Sequence, residues 1–323
     1  MPLTARVGGC AICRAVARRR GGQSVPAGTS GRPRRVLDML IEIPVPRGSP
    51  RTVALTAAAG EGADLPTGTA ERIYGEALRA LSGARAPFLV GGAYAFLHYT
   101  GIDRRTQDFD VFLREADVPR SLRALARGGF RTEVLFPHWL AKAHRGEHYL
   151  DLIYSSGNGL APVDDAWFRR SVPAEVLGLP VRLVAAEEMI WQKAFIQERE
   201  RFDGADVLHL IRARAESLDW PRLIARFGCH WRVLLAHLVL FGYVYPTERQ
   251  RVPASVMRHL FARLRGELDR PAPGPPLCQG TLLSREQYLS DLERGYLDAR
   301  REPHGPMSDD DIAIWTEAIG SER

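Results

Sequence analysis

Asp108-Phe109-Asp110 places two carboxylates at alternate positions of Asp108 to Leu113, a segment whose residues alternate with strand period. Residues i and i+2 of a strand share a face, so both acids project together while Phe109 and Val111 face the other way. Paired oxygen donors suit Mg²⁺, which keeps octahedral geometry, takes few protein carboxylates and lets substrate phosphates complete its shell. The plain alternative is a half-exposed strand with an acidic outer face. Asp151, flanked by Leu150 and Leu152 with Ile153 beyond, is a third acid in an otherwise apolar or aromatic segment. Burying a lone carboxylate there is costly. Its side chain is therefore expected opposite the leucines, at a sheet edge or in an ion site, where it can hold a second metal or act as base for an attacking hydroxyl. Gly91-Gly92 ends the apolar run Pro87-Phe88-Leu89-Val90 and precedes Ala93 to Tyr99, which can form a helix. Missing Cβ atoms there either let backbone N–H groups reach a phosphate or simply make a tight turn. Lys193, one of two lysines among 44 basic residues with Lys142, suits a triphosphate contact or a solvated helix position.

The elements that must carry these residues follow from periodicity. Thr69 to Leu81 and Val118 to Arg127 read as helices, and Phe130 to Phe136 and Trp139 to Ala143 as strands. Arg145-Gly146-Glu147 turns the chain into a further strand, His148 to Tyr154. Residues 174–176 and 181–183 flank Gly178-Leu179-Pro180 as a small hairpin. From Ala186 the period becomes helical, with segments expected at 186–198, 203–215, 219–226, 230–242 and 253–267. Prolines 271, 273, 275 and 276 form a linker, and Ser284 to Tyr296 and Asp309 to Ile319 are expected as helices. Tyr94 and Tyr99 read as packing residues. The order describes an α+β fold: a mixed sheet flanked by helices, then a helical C-terminal half.

Gly91-Gly92, a helix, the Asp108-Phe109-Asp110 strand and Asp151 on a later strand together resemble the polymerase-beta-like nucleotidyltransferase superfamily. The likeness is closest to its AbiEii-type toxin and minimal nucleotidyltransferase branch. Arg104 or Arg105 and Thr106 match the basic and hydroxyl residues before the first Asp. Glu187-Glu188-Met189-Ile190 with Lys193 resembles a Glu-Asp-Leu-Ile-x-x-Lys helix, and Asp203-x-x-Asp206-Val207 a Lys-Asp-x-x-Asp helix with Phe202 in place of the basic residue. The resemblance spans about residues 70 to 215. It implies a palm-like core, placed at 67–185; composition and periodicity add a disordered basic leader (1–66), a helical region (186–268), and a Pro-rich linker with helical tail (269–323). It also implies NTP as substrate and Mg²⁺, two ions, held by Asp108, Asp110 and Asp151, which form the catalytic set. Gly91, Gly92, Thr106 and Lys193 would contact the NTP. The acceptor hydroxyl belongs to a protein, an RNA end or a small molecule. The rival reading is an inactive, partner-binding module of the same fold, such as one working with an antitoxin.

Composition narrows the partners. The chain has 323 residues and a formal charge of +6, but its first 37 residues hold eight arginines and no acid, leaving 36 basic against 38 acidic side chains beyond. The body is thus not a generic polyanion binder, although a local basic groove can still guide an RNA end. No run of about 18 apolar residues is present, so a membrane span is not expected. Four scattered cysteines suit a reducing cytoplasm rather than a disulfide framework, and Cys10-x-x-Cys13 is at most half of a zinc site.

Overall fold

The computed structural model describes residues 54–55, 67–104, 108–271 and 274–319. Cys10, Cys13, Arg105 and Thr106 lie outside the described residues. Eight strands among the described residues form one mixed sheet. In chain order they are β1 (Ala54–Leu55), β2 (Leu89–Val90), β3 (Asp108–Phe112), β4 (Arg131–Phe136), β5 (Leu140–Arg145), β6 (His148–Ile153), β7 (Val172–Val176) and β8 (Leu179–Leu183). Their order across the sheet is β1-β7-β8-β2-β3-β6-β5-β4. β3 runs parallel to β6 and antiparallel to β2, while β5 pairs antiparallel with both β4 and β6.

The two tight hairpins follow from local chemistry. Gly146 at φ 60° closes β5–β6 in two residues, and Leu177 and Gly178, at φ 54° and 70°, close β7–β8. Paired left-handed residues match the right-handed twist of the strands they join.

Strand alternation decides what the sheet buries. Phe109, Val111, Leu150 and Leu152 are all fully buried on one face. Helices α1 (Thr67–Gly83) and α2 (Gly92–Thr100) cover that face, with Tyr74 and Tyr94 placing their ring centroids 5.0 and 4.8 Å from Phe109. Tyr99 is buried and donates its hydroxyl to the Val184 carbonyl at 2.7 Å. Helix α3 (Val118–Arg127) has the bounds the sequence predicts, and α4 (Asp165–Arg170) leads into β7.

The helical half comprises α5 (Ala186–Lys193), α6 (Gly204–Arg214), α7 (Trp220–Phe227), α8 (Trp231–Val244) and α9 (Ala254–Leu268). Helix α5 stops five residues short of the expected 198. The Asp203 N–H donates to the Ile196 carbonyl and Gln197 bridges Phe202, so the chain doubles back at residues 198–201 instead of continuing the helix. The stretch Trp220–Val244 is long and apolar enough to span a membrane by length and composition. It is broken, however, by Gly228 at φ 50° and a 3₁₀ turn, and it sends Leu223, Phe227, Trp231, Leu234, Leu238 and Phe241 into the core.

Beyond residue 274 the expected helix over 284–296 shrinks to α10 (Leu289–Glu293). Ser284 and the Arg285 N–H are taken by Glu198 instead, at 2.9 and 3.3 Å. Two short strands, β9 (Leu277–Cys278) and β10 (Leu297–Asp298), pair parallel, and α11 (Asp309–Glu317) ends the described chain, capped by the Ser308 side chain.

Candidate active site

The sheet face opposite the core carries the acids. In the parallel β3–β6 ladder Asp110 sits opposite Asp151, and Asp108 precedes Asp110 by one alternation. One carboxylate oxygen from each of the three lies within 4.8 Å of the others. Asp110 is pushed up to about 7 by burial first, then by the charges of Asp108 and Asp151, against the pull of Lys193 and Arg201. Asp151 is also raised by burial, with Lys142 opposing the rise. Such crowding of like charge fits a divalent cation, whose oxygen preference matches the donor set.

The glycine turn is fitted to the same carboxylates. The Gly91 N–H donates to the Asp110 carbonyl at 3.0 Å, so it is engaged by the sheet rather than by a ligand. Gly92 has φ +52°, and a Cβ there would collide with Asp110 Oδ2. The start of α2 is therefore held against the Asp110 carboxylate, an approach that only glycine permits at this backbone angle.

Lys193 stands on the wall of the same cavity, 2.7 Å from Asp203 Oδ2 and 2.9 Å from Asp206 Oδ2. Arg201 grips Asp203 with two bonds of 3.0 Å, and Arg104 pairs with Asp206. Burial alone would raise Asp203, but Arg201 and Lys193 outweigh it and hold its carboxyl below the ordinary range. These two acids of the Asp203-x-x-Asp206 motif thus anchor basic groups beside the site. Glu187 and Glu188 instead tie α5 to α7 and its start. Glu187 accepts from the Asp219 N–H at 2.7 Å, and the fully buried Glu188 pairs with Arg222 and Arg226.

Lys142 was visible in the sequence only as a rare lysine. It is the register partner of Asp151, and its ammonium lies 3.1 Å from Asp151 Oδ1, with side-chain exposures of 20% and 15%. Lys142→Met is expected to destabilise the protein by about 1–3 kcal/mol at pH 8, since it leaves a largely buried carboxylate without its counter-charge. Because Lys142 holds Asp151 lower than burial alone would, its stabilising effect is present while Asp151 is ionised and fades as pH falls through the Asp151 titration. Urea melts over a pH series descending from 8 through the Asp151 titration check this; a loss that stays constant along the whole series would show that Lys142 acts only by packing.

The cavity is about 450 Å³, and it is lined by segments far apart in sequence. Its floor is β3 and β6, and its walls include α5 with the 195–203 turn and the segment Ser156 to Asn158. Residues 281–286, Trp315 and Ile319 complete it. No sequence motif marks this last group.

No protein-family model matches this sequence, and no curated protein matches it. Among solved structures the chain overlaps the antibiotic-resistance factor ANT(2'')-Ia at 18% identity, covering 53% of this chain and 97% of that one, with a TM-score of 0.39. An antigenic nucleotidyltransferase-like protein from Paracoccidioides brasiliensis overlaps at 16% identity, 58% and 97% coverage and a TM-score of 0.36. The lincosamide antibiotic adenylyltransferase LnuA, lincomycin-bound, does so at 14% identity, 43% and 95% coverage and a TM-score of 0.33. With TM-scores below 0.5 these overlaps carry no functional weight, which rests on the site's own geometry.

Proposed function

We propose that this site transfers a nucleoside monophosphate from an NTP to a hydroxyl acceptor and releases pyrophosphate. The observation that carries the reading is the convergence of Asp108, Asp110 and Asp151 within 4.8 Å beside a turn that a Cβ at Gly92 would fill. Asp108, Asp110 and Asp151 would hold Mg²⁺, as two ions in the full arrangement, and bound there it supplies phosphate neutralisation and a more acidic acceptor hydroxyl. Gly92 and the first turn of α2 orient the β and γ phosphates, with Lys193 and Arg201 adding positive charge nearby. The acceptor oxygen attacks the α-phosphorus, and its proton passes to the Asp151 carboxylate. The bond between the α-phosphorus and the bridging oxygen breaks as the new O–P bond forms, and its electron pair leaves with pyrophosphate. Asp151, raised by burial, is a stronger base than an exposed carboxylate. The Gly91-Gly92, Asp108-x-Asp110, Lys193 and Asp203-x-x-Asp206 pattern supports the AbiEii-type branch within this reading.

The test is incubation of the purified protein with each α-labelled NTP, Mg²⁺ and a cell lysate, beside an Asp108→Asn/Asp110→Asn double variant. Label moved only by the intact protein supports transfer and reveals the acceptor by its mobility. NTP binding without transfer favours the inactive partner-binding module, with an antitoxin as one such partner. Loss of both removes the nucleotide reading.

Metal binding should also depend on pH. Asp110 is protonated below about 7, so protons compete with Mg²⁺ at pH 6 and not at pH 8. In the metal-free protein the folded state binds this proton more tightly than the unfolded chain does. Stability from this group therefore falls as pH rises from the ordinary carboxylate range to about 7. The rise in melting temperature caused by Mg²⁺ is expected to grow from pH 6 to pH 8. A metal effect independent of pH over that range would place the ion away from Asp110.

A further inference from the structure

The cavity has two chemically different ends. Asp108, Asp110 and Phe112 share one face of β3, and Asp151 and Ile153 share the same face of β6, so the floor passes from acidic to apolar within about 7 Å of strand. Over the apolar end stand two tryptophans. Trp139 stacks on Phe136 at 5.7 Å, and Trp315 of α11 meets Trp139 edge-on at 5.3 Å. Trp315 also lies so close to Gly157 that a Cβ there would contact its ring at 2.5 Å.

The segment bringing Trp315 and Leu282 to the cavity is bonded to both walls. The Asn158 side chain donates to the Leu282 carbonyl at 2.7 Å on one side, and the Gln197 N–H donates to the Leu283 carbonyl at 3.1 Å on the other. Ser284 donates to Glu198 at 2.9 Å, and Arg285 lies 4.6 Å over the Trp315 ring. This bridge forms part of the wall of a cavity of about 450 Å³. Cavities of this size suit small molecules that pair an apolar body with a few polar groups.

Lateral order assigns the apolar end. Gly92 lies on the β2 flank of β3, where the phosphates are placed. Asp151 lies on the β6 flank, and Trp139 adjoins the end of β6, where its carbonyl accepts from the Tyr154 N–H at 3.0 Å. The two tryptophans are therefore on the side of the proton acceptor and away from the glycine turn, against which Phe112 packs.

We infer that the acceptor is a small molecule whose hydroxyl meets Asp151 and whose aromatic or apolar body lies against Ile153, Trp139, Leu282 and Trp315. This rests on the transfer reading above and names the acceptor class for it. Trp315 is then a specificity-determining residue, and the segment 281–319 is the acceptor-side wall.

The test uses the full chain and two readouts. Binding of 2-(4-hydroxyphenyl)ethanol is followed by saturation-transfer NMR without metal or nucleotide. Transfer from α-labelled NTP is followed with that alcohol, glucosamine and a single-stranded RNA oligonucleotide as separate acceptors. The aromatic alcohol is expected to bind and to take the label in preference. Trp315→Ala should raise its KM about tenfold and leave the NTP KM within twofold, and Trp315→Phe should restore most of the loss if folding is intact by circular dichroism. Preference for glucosamine or RNA, or absence of alcohol binding, overturns the inference, as does a Trp315→Ala effect on the NTP KM alone, which would give the pocket to the nucleobase. Alcohol binding that depends on Trp315, with no transfer to any acceptor, upholds the pocket and overturns the transfer reading. Transfer of label to glucosamine or to the RNA, without alcohol binding, does the reverse.

Discussion

Asp110→Asn is expected to lower nucleotidyl transfer by about 10³-fold or more and, at pH 8, to raise the melting temperature of the metal-free protein. The activity loss follows from removing a charged oxygen at the centre of the carboxylate set. Stabilisation of phosphate charge by a bound ion is worth several kcal/mol, and about 4 kcal/mol is three decades of rate. The stability gain has the same origin. Asp110 is held up at about 7 by burial and by its acidic neighbours, so at pH 8 the folded protein carries the cost of ionising it. Asn keeps the shape without the charge, and a gain of about 1–2 kcal/mol is expected, below the full value of the shift because the amide is still buried. At pH 5.5 Asp110 is neutral in the folded state, and the gain should disappear. Single-turnover transfer and calorimetry at the two pH values test both halves. A variant within tenfold of wild-type activity would falsify the catalytic role of Asp110.

Gly92→Ala should be nearly as damaging to activity while destabilising the fold. At φ +52° an alanine is strained, and its Cβ would be driven into Asp110 Oδ2. The left-handed backbone and the clash together are expected to cost about 1–3 kcal/mol. Either the carboxylate rotates away from Asp108 and Asp151, or the start of α2 withdraws, and both separate the glycine turn from the acids. A loss of about 10²-fold or more in kcat is expected, the scale of a reacting group displaced by about 1 Å. Gly101→Ala is the control: it also lies at positive φ, 71°, but its Cβ would meet nothing within 4 Å. It should share the backbone strain and keep transfer near the wild-type rate. Equal losses of activity in both variants would trace the Gly92 effect to general destabilisation.

Much of this site was legible in the chain because strand period and turn chemistry are local. Alternation around Asp108 and Asp151 separated the acid face from the leucine face, and both buried faces follow that pattern. Lys142 was within reach of the same logic. With Gly146-Glu147 as a two-residue turn, Arg145 pairs with His148, and counting back three residues sets Lys142 opposite Asp151. What local reasoning could not supply was the wall at 281–319. Its tie to Asn158 crosses 124 residues, and it is held by loop hydrogen bonds and ring contacts that leave no periodic trace. The expected helix over 284–296 failed for that reason, since a distant Glu198 engages its first two residues. The helix over 186–198 likewise ended early because of a doubling-back seen only once Asp203 is placed.

The sequence order of these parts has a bearing on vectorial synthesis. Every carboxylate of the acidic cluster, the glycine turn and the basic groups around Asp203 are translated between residues 91 and 206, whereas the clasp on Asn158 and Glu198 is made from residues 282 to 285. The sheet can form its ladder, and α5 and α6 can dock, before the segment with Trp315 has left the ribosome. A nascent chain at that stage would present the aspartates with one side of the cavity open, and completion of the pocket is expected as a late, long-range docking step rather than part of sheet formation.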